Sequence, residues 1–167
     1  MKAHGKTFAG CFILIAAMAL GPSLATAASY EALDGLTRLE VAYDFRLDHP
    51  EKAALFLKLI HMTYKDESIT GLAEPPRFVV VFNGAAVRLI AEDQPGVSQE
   101  DQAHLRDIAS RITLMASDGI RMEGCLVAAR LFKVDPDLFL REIEKVENAW
   151  ISLAGYQAQK FSAMPVF

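Results

Sequence analysis

The stretch Phe78-Val-Val-Val-Phe82 is an unbroken run of β-branched and aromatic residues. A strand that is apolar at every position suits a sheet that is covered on both faces, as parallel sheets are. Asn83 and Gly84 come next and end the strand, because both residue types favour turns. The run therefore predicts a central strand of a parallel sheet between two layers of helices.

Other strands and helices alternate on either side of this run. Strands are predicted at residues 39–45, 120–124 and 161–167, and helices at 50–65, 85–91, 99–117, 126–132 and 149–160. Residues 138–151 fit either one helix or a strand near 145–148. The alternation predicts right-handed βαβ units. We therefore expect an α/β fold with three α/β/α layers and a mostly parallel sheet of about five strands.

The first predicted helix carries clear local patterns. Asp48 is a candidate N-cap, and Pro50 lies in the first turn, where its missing N–H costs nothing. Leu55, Leu59 and Met62 then recur at helical spacing, which predicts a helix that ends near Lys65. The polar residues 66–76 that follow predict a loop.

The N-terminus has the pattern of a secretory signal peptide. Lys2, His4 and Lys6 form a basic start, and an apolar run follows from residue 8 to residue 20. The small residues 25–27 fit the signal-peptidase rule, with cleavage before Ala28. We expect residues 1–27 to be a cleaved signal peptide and residues 28–167 to form one domain in the periplasm. A retained N-terminal anchor is the alternative.

Charge and composition limit the partners and cofactors of this domain. Removal of Lys2 and Lys6 changes the formal net charge from −4 to −6, and no basic cluster is present. We therefore expect no nucleic-acid binding and, since no second apolar run reaches spanning length, no membrane association after signal cleavage. The histidines lack metal-ligand spacing, and nucleotide fingerprints are missing, so we expect no metal and no cofactor.

One thiol remains after cleavage, because Cys11 leaves with the signal peptide and Cys125 stays. The remaining thiol is buried and inert, paired with another molecule, or reactive. Cys125 follows a predicted strand and precedes a predicted helix, which places its sulfur near unpaired N–H groups that favour a thiolate. Gly124 leaves room for a partner to approach. Asn83 and Gly84 end the neighbouring strand, so we expect them to line a pocket beside Cys125.

Four segments carry a family resemblance, namely Asp48–Ala53, Val79–Ala85, Asp118–Cys125 and Tyr156–Pro165. Taken in this order, they resemble the DsrE/DsrF-like family of sulfur-relay proteins, and the resemblance covers residues 38–167. Lys160 stands where the family commonly has glycine. The resemblance implies a parallel sheet between helices, assembly into homo-oligomers, and a persulfide held on the cysteine that Cys125 matches.

The leading hypothesis is thus a periplasmic sulfur carrier that takes sulfane sulfur on Cys125 and passes it to a partner thiol, with or without turnover. The first alternative is a non-catalytic oligomeric binding module in which Cys125 is only packed. A third is small-ligand binding at the Asn83 turn without thiol chemistry. We interpret Trp150 and Tyr156 as core or subunit-interface residues, and His61 as a satisfied or helix-surface residue.

Overall fold

A computed structural model describes residues 1–2, 30–92 and 98–167. The predicted signal peptide lies outside the described residues except for Met1 and Lys2. Five strands form one sheet in the order β4-β3-β2-β1-β5, and every neighbouring pair is parallel. The strands are β1 (Glu40–Phe45), β2 (Arg77–Phe82), β3 (Arg121–Cys125), β4 (Glu144–Val146) and β5 (Ser162–Val166).

Helices connect the strands and cover both faces of the sheet. They are α1 (Pro50–Tyr64), α2 (Glu67–Thr70), α3 (Gln99–Ser117), α4 (Leu126–Phe132) and α5 (Ala149–Ala158). Short 3₁₀-helices occupy Glu31–Leu33, Gly84–Ile90 and Pro136–Leu138. Within residues 30–92 and 98–167, no helix combines the length and apolar character that crossing a bilayer requires.

The two layers of helices follow from the alternation of side chains in the strands. Phe78 and Glu123 point to opposite faces of the sheet. Glu123 is paired with Val81 and so shares its face. Val81 is an odd number of residues from Phe78, and side chains alternate along a strand, so Val81 and Glu123 face away from Phe78. Tyr64 at the end of α1 packs its ring against Phe78, whereas Tyr156 on α5 hydrogen-bonds Glu123. α1, with α3 packed against it, therefore covers one face and α5 covers the other. The predicted three-layer α/β fold is confirmed.

The central strand is buried along its apolar length, as its sequence predicts. Residues 78–82 are all buried, and they pair with β1 on one side and β3 on the other. Tyr43 and Tyr64 both make edge-to-face ring contacts with Phe78, and Phe45 lies against Phe82. Burial of these aromatic and β-branched side chains contributes to the hydrophobic stabilisation of the sheet.

The details of α1 differ from the sequence prediction. The N-cap is His49 rather than Asp48, and the His49 side chain makes no capping hydrogen bond within the described residues, although Pro50 does occupy the first turn. The predicted apolar positions Leu55, Leu59 and Met62 are exposed, at 53%, 44% and 58% of their maximal area. The buried residues of α1 instead include Ala53, Leu57 and Ile60. Both sets have helical spacing because α1 is apolar around most of its circumference, so periodicity alone did not select the core face.

The structure also determines the conformation of three other segments. The predicted loop 66–76 begins with the short helix α2, because the Asp66 side chain accepts the Ser68 N–H and caps it. In the ambiguous segment 138–151, the strand alternative is confirmed by β4 at Glu144–Val146. The predicted helix at 85–91 is a 3₁₀-helix over Gly84–Ile90.

Candidate functional site

A pocket of about 380 Å³ opens at the carboxyl edge of the sheet. Because parallel strands all end at this edge, residues that follow different strands meet there. Arg46 follows β1, Asn83 and Gly84 follow β2, and Cys125 ends β3; all four line the pocket. The structure thus brings together three of the four residues that the sequence predicted for the site.

Cys125 is the free cysteine of the described residues, and only 2% of its area is exposed. It ends β3 and is the N-cap of α4, because the chain passes from strand to helix without a loop. Its Sγ accepts the backbone N–H of Ala128 in α4 and the N–H of Ala149, the first residue of α5, both at 3.4 Å. Two helix starts therefore converge on one sulfur.

The Asn83–Gly84 turn forms the neighbouring wall. The Asn83 Oδ1 accepts the Gly84 N–H at 2.7 Å and caps the 3₁₀-helix that follows. Gly84 has a φ of +58°, which L side chains rarely adopt, and a Cβ placed there would meet no atom of the described residues within 4 Å. Backbone conformation, rather than lack of space, accounts for the glycine at this position.

Gly124 does not line the pocket. It pairs with Phe82, so it faces the α1 side of the sheet, whereas Cys125 faces the α5 side. A Cβ on Gly124 would lie 2.6 Å from Phe139 Cε2 and 2.9 Å from Ile143 Cγ2. The space that the sequence left for a partner is filled by the core of the protein.

Arg46 is a pocket residue that the sequence analysis missed. Its Nη2 lies 2.7 Å from the Asp44 Oδ2, and its guanidinium lies 5.7 Å from the centre of the Phe167 ring. Its position directly after β1, at the edge where Asn83 and Cys125 also lie, is the feature that would have identified it. The positive charge of Arg46 is therefore balanced within the protein.

Apolar side chains form the outer part of the pocket. Val127 and Leu131 on α4 and Trp150 on α5 line it, and their exposed fractions are 42%, 74% and 69%. Trp150 is therefore not a core residue, and its location at the pocket was not predicted. Asn148, which also lines the pocket, accepts the Trp150 N–H on its side-chain oxygen at 2.9 Å and so caps α5.

A buried carboxylate lies on the same sheet face as Cys125, two residues before it. Glu123 is 2% exposed; its Oε1 accepts the Tyr156 hydroxyl at 2.5 Å and lies 3.1 Å from the Arg121 Nε. Burial, followed by the hydrogen bond to Glu123, raises the pKa of Tyr156. The Oε2 of Glu123 has no hydrogen-bond partner among the described residues. An acidic residue inside an otherwise buried strand was the available signal for this group.

His61 is a satisfied buried residue, one of the two alternatives that its sequence context allowed. Its Nε2 lies 2.6 Å from the Asp118 Oδ2, and the Arg111 Nη1 lies 3.2 Å from its Nδ1. Lys65, and after it His61, hold the pKa of Asp118 below its ordinary value by hydrogen bonding. Among the described residues, no group of three or more His, Cys, Asp or Glu side chains could hold a metal ion.

Comparisons with known proteins agree with the fold and provide no functional name. No protein-family model matches the sequence, and no curated protein matches it. A protein of unknown function from Methanobacterium thermoautotrophicum, MTH1491, has a similar structure with a TM-score of 0.58 and 14% identity, over 76% of this chain and 98% of that one. A conserved protein of unknown function from Bacteroides thetaiotaomicron, BT1422, gives 0.51 and 17% identity over 75% and 94%. The chain therefore shares an α/β fold with these two proteins, and its resemblance to the DsrE/DsrF-like family stays a prediction.

Proposed function

We propose that this protein handles sulfur in the periplasm, carrying sulfane sulfur as a persulfide on Cys125 and passing it to a partner thiol. The observation that carries the proposal is the position of the Cys125 Sγ, at a pocket where the N–H groups of Ala128 and Ala149 both point to it. The order of family-like segments around Cys125 supports the same chemistry, and the signal-like N-terminus supports the location.

The proposed reaction has two exchange steps. In the first, the Cys125 thiolate attacks the outer sulfur of a donor persulfide, R–S–SH; a new S–S bond forms, the donor S–S bond breaks, and RS⁻ leaves. In the second, a partner thiolate attacks the outer sulfur of the Cys125 persulfide, and Cys125 leaves as a thiolate. The two amide donors would stabilise the negative charge on Cys125 before the first step and after the second.

The neighbouring residues have separate roles in this proposal. Asn83 fixes the turn, and Gly84 gives that turn a backbone shape that leaves the pocket open beside the sulfur. Arg46, whose charge is balanced by Asp44, lines the side of the pocket next to the end of β1. These residues would hold a donor against Cys125 without taking part in bond making.

Intact-mass spectrometry tests the carrier function directly. The mature protein is incubated with polysulfide and then measured with and without reductant. We expect a gain of one or more sulfur atoms that reductant removes and that the Cys125→Ser variant lacks. No adduct on the native protein, together with alkylation of Cys125 only after unfolding, would contradict the proposal.

A second candidate function is an oligomeric binding module with a structural cysteine. Two observations favour it: the Cys125 sulfur is almost fully buried and caps α4, and α1 exposes an apolar stripe. That α1 stripe consists of Leu55, Phe56, Leu59 and Met62. We propose that it forms a homo-oligomer contact, because covering these side chains removes apolar area from water.

Light scattering coupled to size-exclusion chromatography tests this oligomer. We expect the wild-type chain to form an oligomer and Leu59→Lys to shift it towards monomer. Leu114→Lys, at an exposed leucine on α3, serves as the control for an added charge. A monomeric wild type at high protein concentration, or an unchanged mass for Leu59→Lys, would exclude the α1 stripe as the contact.

A further inference from the structure

We infer that the Cys125 pocket accepts small, uncharged, apolar thiols and persulfides in preference to anionic sulfur compounds such as thiosulfate. The inference rests on the proposed function, since it names the class of sulfur donor or acceptor that Cys125 meets. It follows from the charges, the hydrogen bonds and the apolar walls of the pocket.

The described residues that line the pocket offer no uncompensated positive charge. Arg46 is the one Lys, Arg or His side chain among the described lining residues. Its guanidinium already pairs with Asp44 at 2.7 Å and lies over the Phe167 ring. An anion that entered would gain little from this cation and would also meet the negative charge of Asp44. A neutral ligand is not subject to that repulsion.

The backbone donors near the sulfur are also occupied. At the start of α4, the N–H of Val127 binds the Glu147 carbonyl, and the N–H of Ala128 binds the Cys125 Sγ. At the start of α5, the N–H of Ala149 binds the same sulfur, and the N–H of Trp150 binds the Asn148 side chain. Helix starts commonly bind anions through their unpaired N–H groups. Here these four donors are satisfied within the protein.

The walls of the pocket suit an apolar group. Val127, Leu131 and Trp150 line it while remaining substantially exposed, so a ligand can bury part of their area. The volume of about 380 Å³ is within the range of small-molecule sites. A ligand of the form R–S–SH with an apolar R group would place R against these side chains and its outer sulfur at Cys125.

Transfer from such a ligand balances without another reactant. The Cys125 thiolate forms a bond to the outer sulfur of R–S–SH, the S–S bond of the ligand breaks, and RS⁻ departs with the electron pair. The proton of the ligand stays on the transferred sulfur. The sulfur of Cys125 is formally oxidised by one unit, and the inner sulfur of the ligand is reduced by one unit.

The test compares the rates at which three methanethiosulfonates modify Cys125 in the folded mature protein. The benzyl reagent is neutral and apolar, the sulfonatoethyl reagent is anionic, and the trimethylammonioethyl reagent is cationic. Each rate is divided by the rate of the same reagent with the unfolded protein, which removes differences in intrinsic reactivity. We expect the normalised benzyl rate to exceed the anionic rate by about tenfold, the effect of burying roughly two methylene groups.

Matched variants test whether Trp150 produces the selectivity for the benzyl reagent. Trp150→Ala is expected to reduce the benzyl advantage, because it removes a wall of the pocket. Ile151→Ala is the control, since Ile151 is equally exposed, at 71%, but does not line the pocket. Equal loss of benzyl advantage in both variants would overturn the assignment of Trp150 to ligand binding.

The remaining outcomes separate this inference from the proposed function. Normalised rates that are equal for the three reagents, highest for the anion, or too slow to measure for all three would overturn the inference. If polysulfide nevertheless loads sulfur on Cys125, the carrier function stands without the apolar selectivity. If benzyl selectivity is found and no sulfur is retained even from an apolar persulfide R–S–SH, the pocket has the inferred preference and the carrier function fails.

Discussion

The substitution Gly124→Ala separates a packing role from a binding role for this glycine. A Cβ on Gly124 would lie 2.6 Å from Phe139 Cε2, 2.9 Å from Ile143 Cγ2 and 3.0 Å from Ile90 Cδ1. Overpacking of a core costs about 1–3 kcal/mol, and three contacts at these distances place Gly124→Ala in the upper part of that range. Replacing glycine by alanine in a regular element returns about 0.5–1 kcal/mol. We therefore expect a net loss of about 1–2 kcal/mol in the free energy of unfolding.

Urea denaturation followed by circular dichroism measures this loss. Gly155→Ala in α5 is the matched control, because a Cβ there would meet no atom within 4 Å in the described part of the chain; we expect it to stabilise the protein by about 1 kcal/mol. Adding Phe139→Leu to Gly124→Ala should recover part of the loss, since it removes the closest contact. Gly124→Ala with wild-type stability would refute the packing argument. Folded Gly124→Ala should also keep the wild-type alkylation rate of Cys125, because the two side chains lie on opposite faces of the sheet.

Three further predictions concern other parts of the chain. Lys160 has a φ of +72°, so Lys160→Gly should relieve backbone strain and raise the free energy of unfolding by about 0.5–1 kcal/mol; a loss of stability in urea denaturation would contradict this. Tyr156→Phe removes the hydroxyl that binds the buried Glu123 carboxylate and should lower the free energy of unfolding by about 1–3 kcal/mol. Thermal unfolding measures this loss, and a loss within error of zero would show that the carboxylate is solvated by another route. The pKa of Asp118 is lowered chiefly by Lys65, so the stability it contributes is present above its unfolded pKa and is lost as the pH falls through its folded pKa. Lys65→Met should raise that pKa in a carbon-detected NMR titration, and an unchanged value would exclude Lys65 as the main cause.

The architecture could be predicted from the sequence because the strands have strong apolar patterns that differ from those of the helices. An apolar run such as 78–82 has few alternatives to a strand buried on both faces, and helices of ordinary length lie between the strands. The face of α1 could not be predicted in the same way. Apolar residues occur at most of its positions, so two helical stripes compete, and only the packing of α1 in the folded protein selects Leu57 and Ile60 over Leu55 and Leu59.

The candidate site was predictable where it depends on strand ends. Asn83, Gly84 and Cys125 each follow or end a strand, and parallel topology brings such residues to one edge. Gly124 was wrongly expected to leave room for a partner, because its pairing with Phe82, which shows which face it occupies, is known only from the register. Trp150 was missed because its place in the pocket depends on how α5 crosses the sheet, which no local pattern specifies.

The ends of the sheet limit how copies of this protein can associate. β4 is only three residues long and carries Glu144 and Lys145. At the other edge, the Val166 carbonyl accepts the Arg46 N–H, so the backbone groups of Val166 point towards β1. The backbone groups of neighbouring residues in a strand point in opposite directions, so those of Pro165 point outward. Proline has no N–H to offer to a neighbouring strand. Neither edge is a good template for an added strand, so a homo-oligomer of this chain would assemble through side-chain surfaces such as the α1 stripe and not by extending one sheet across subunits.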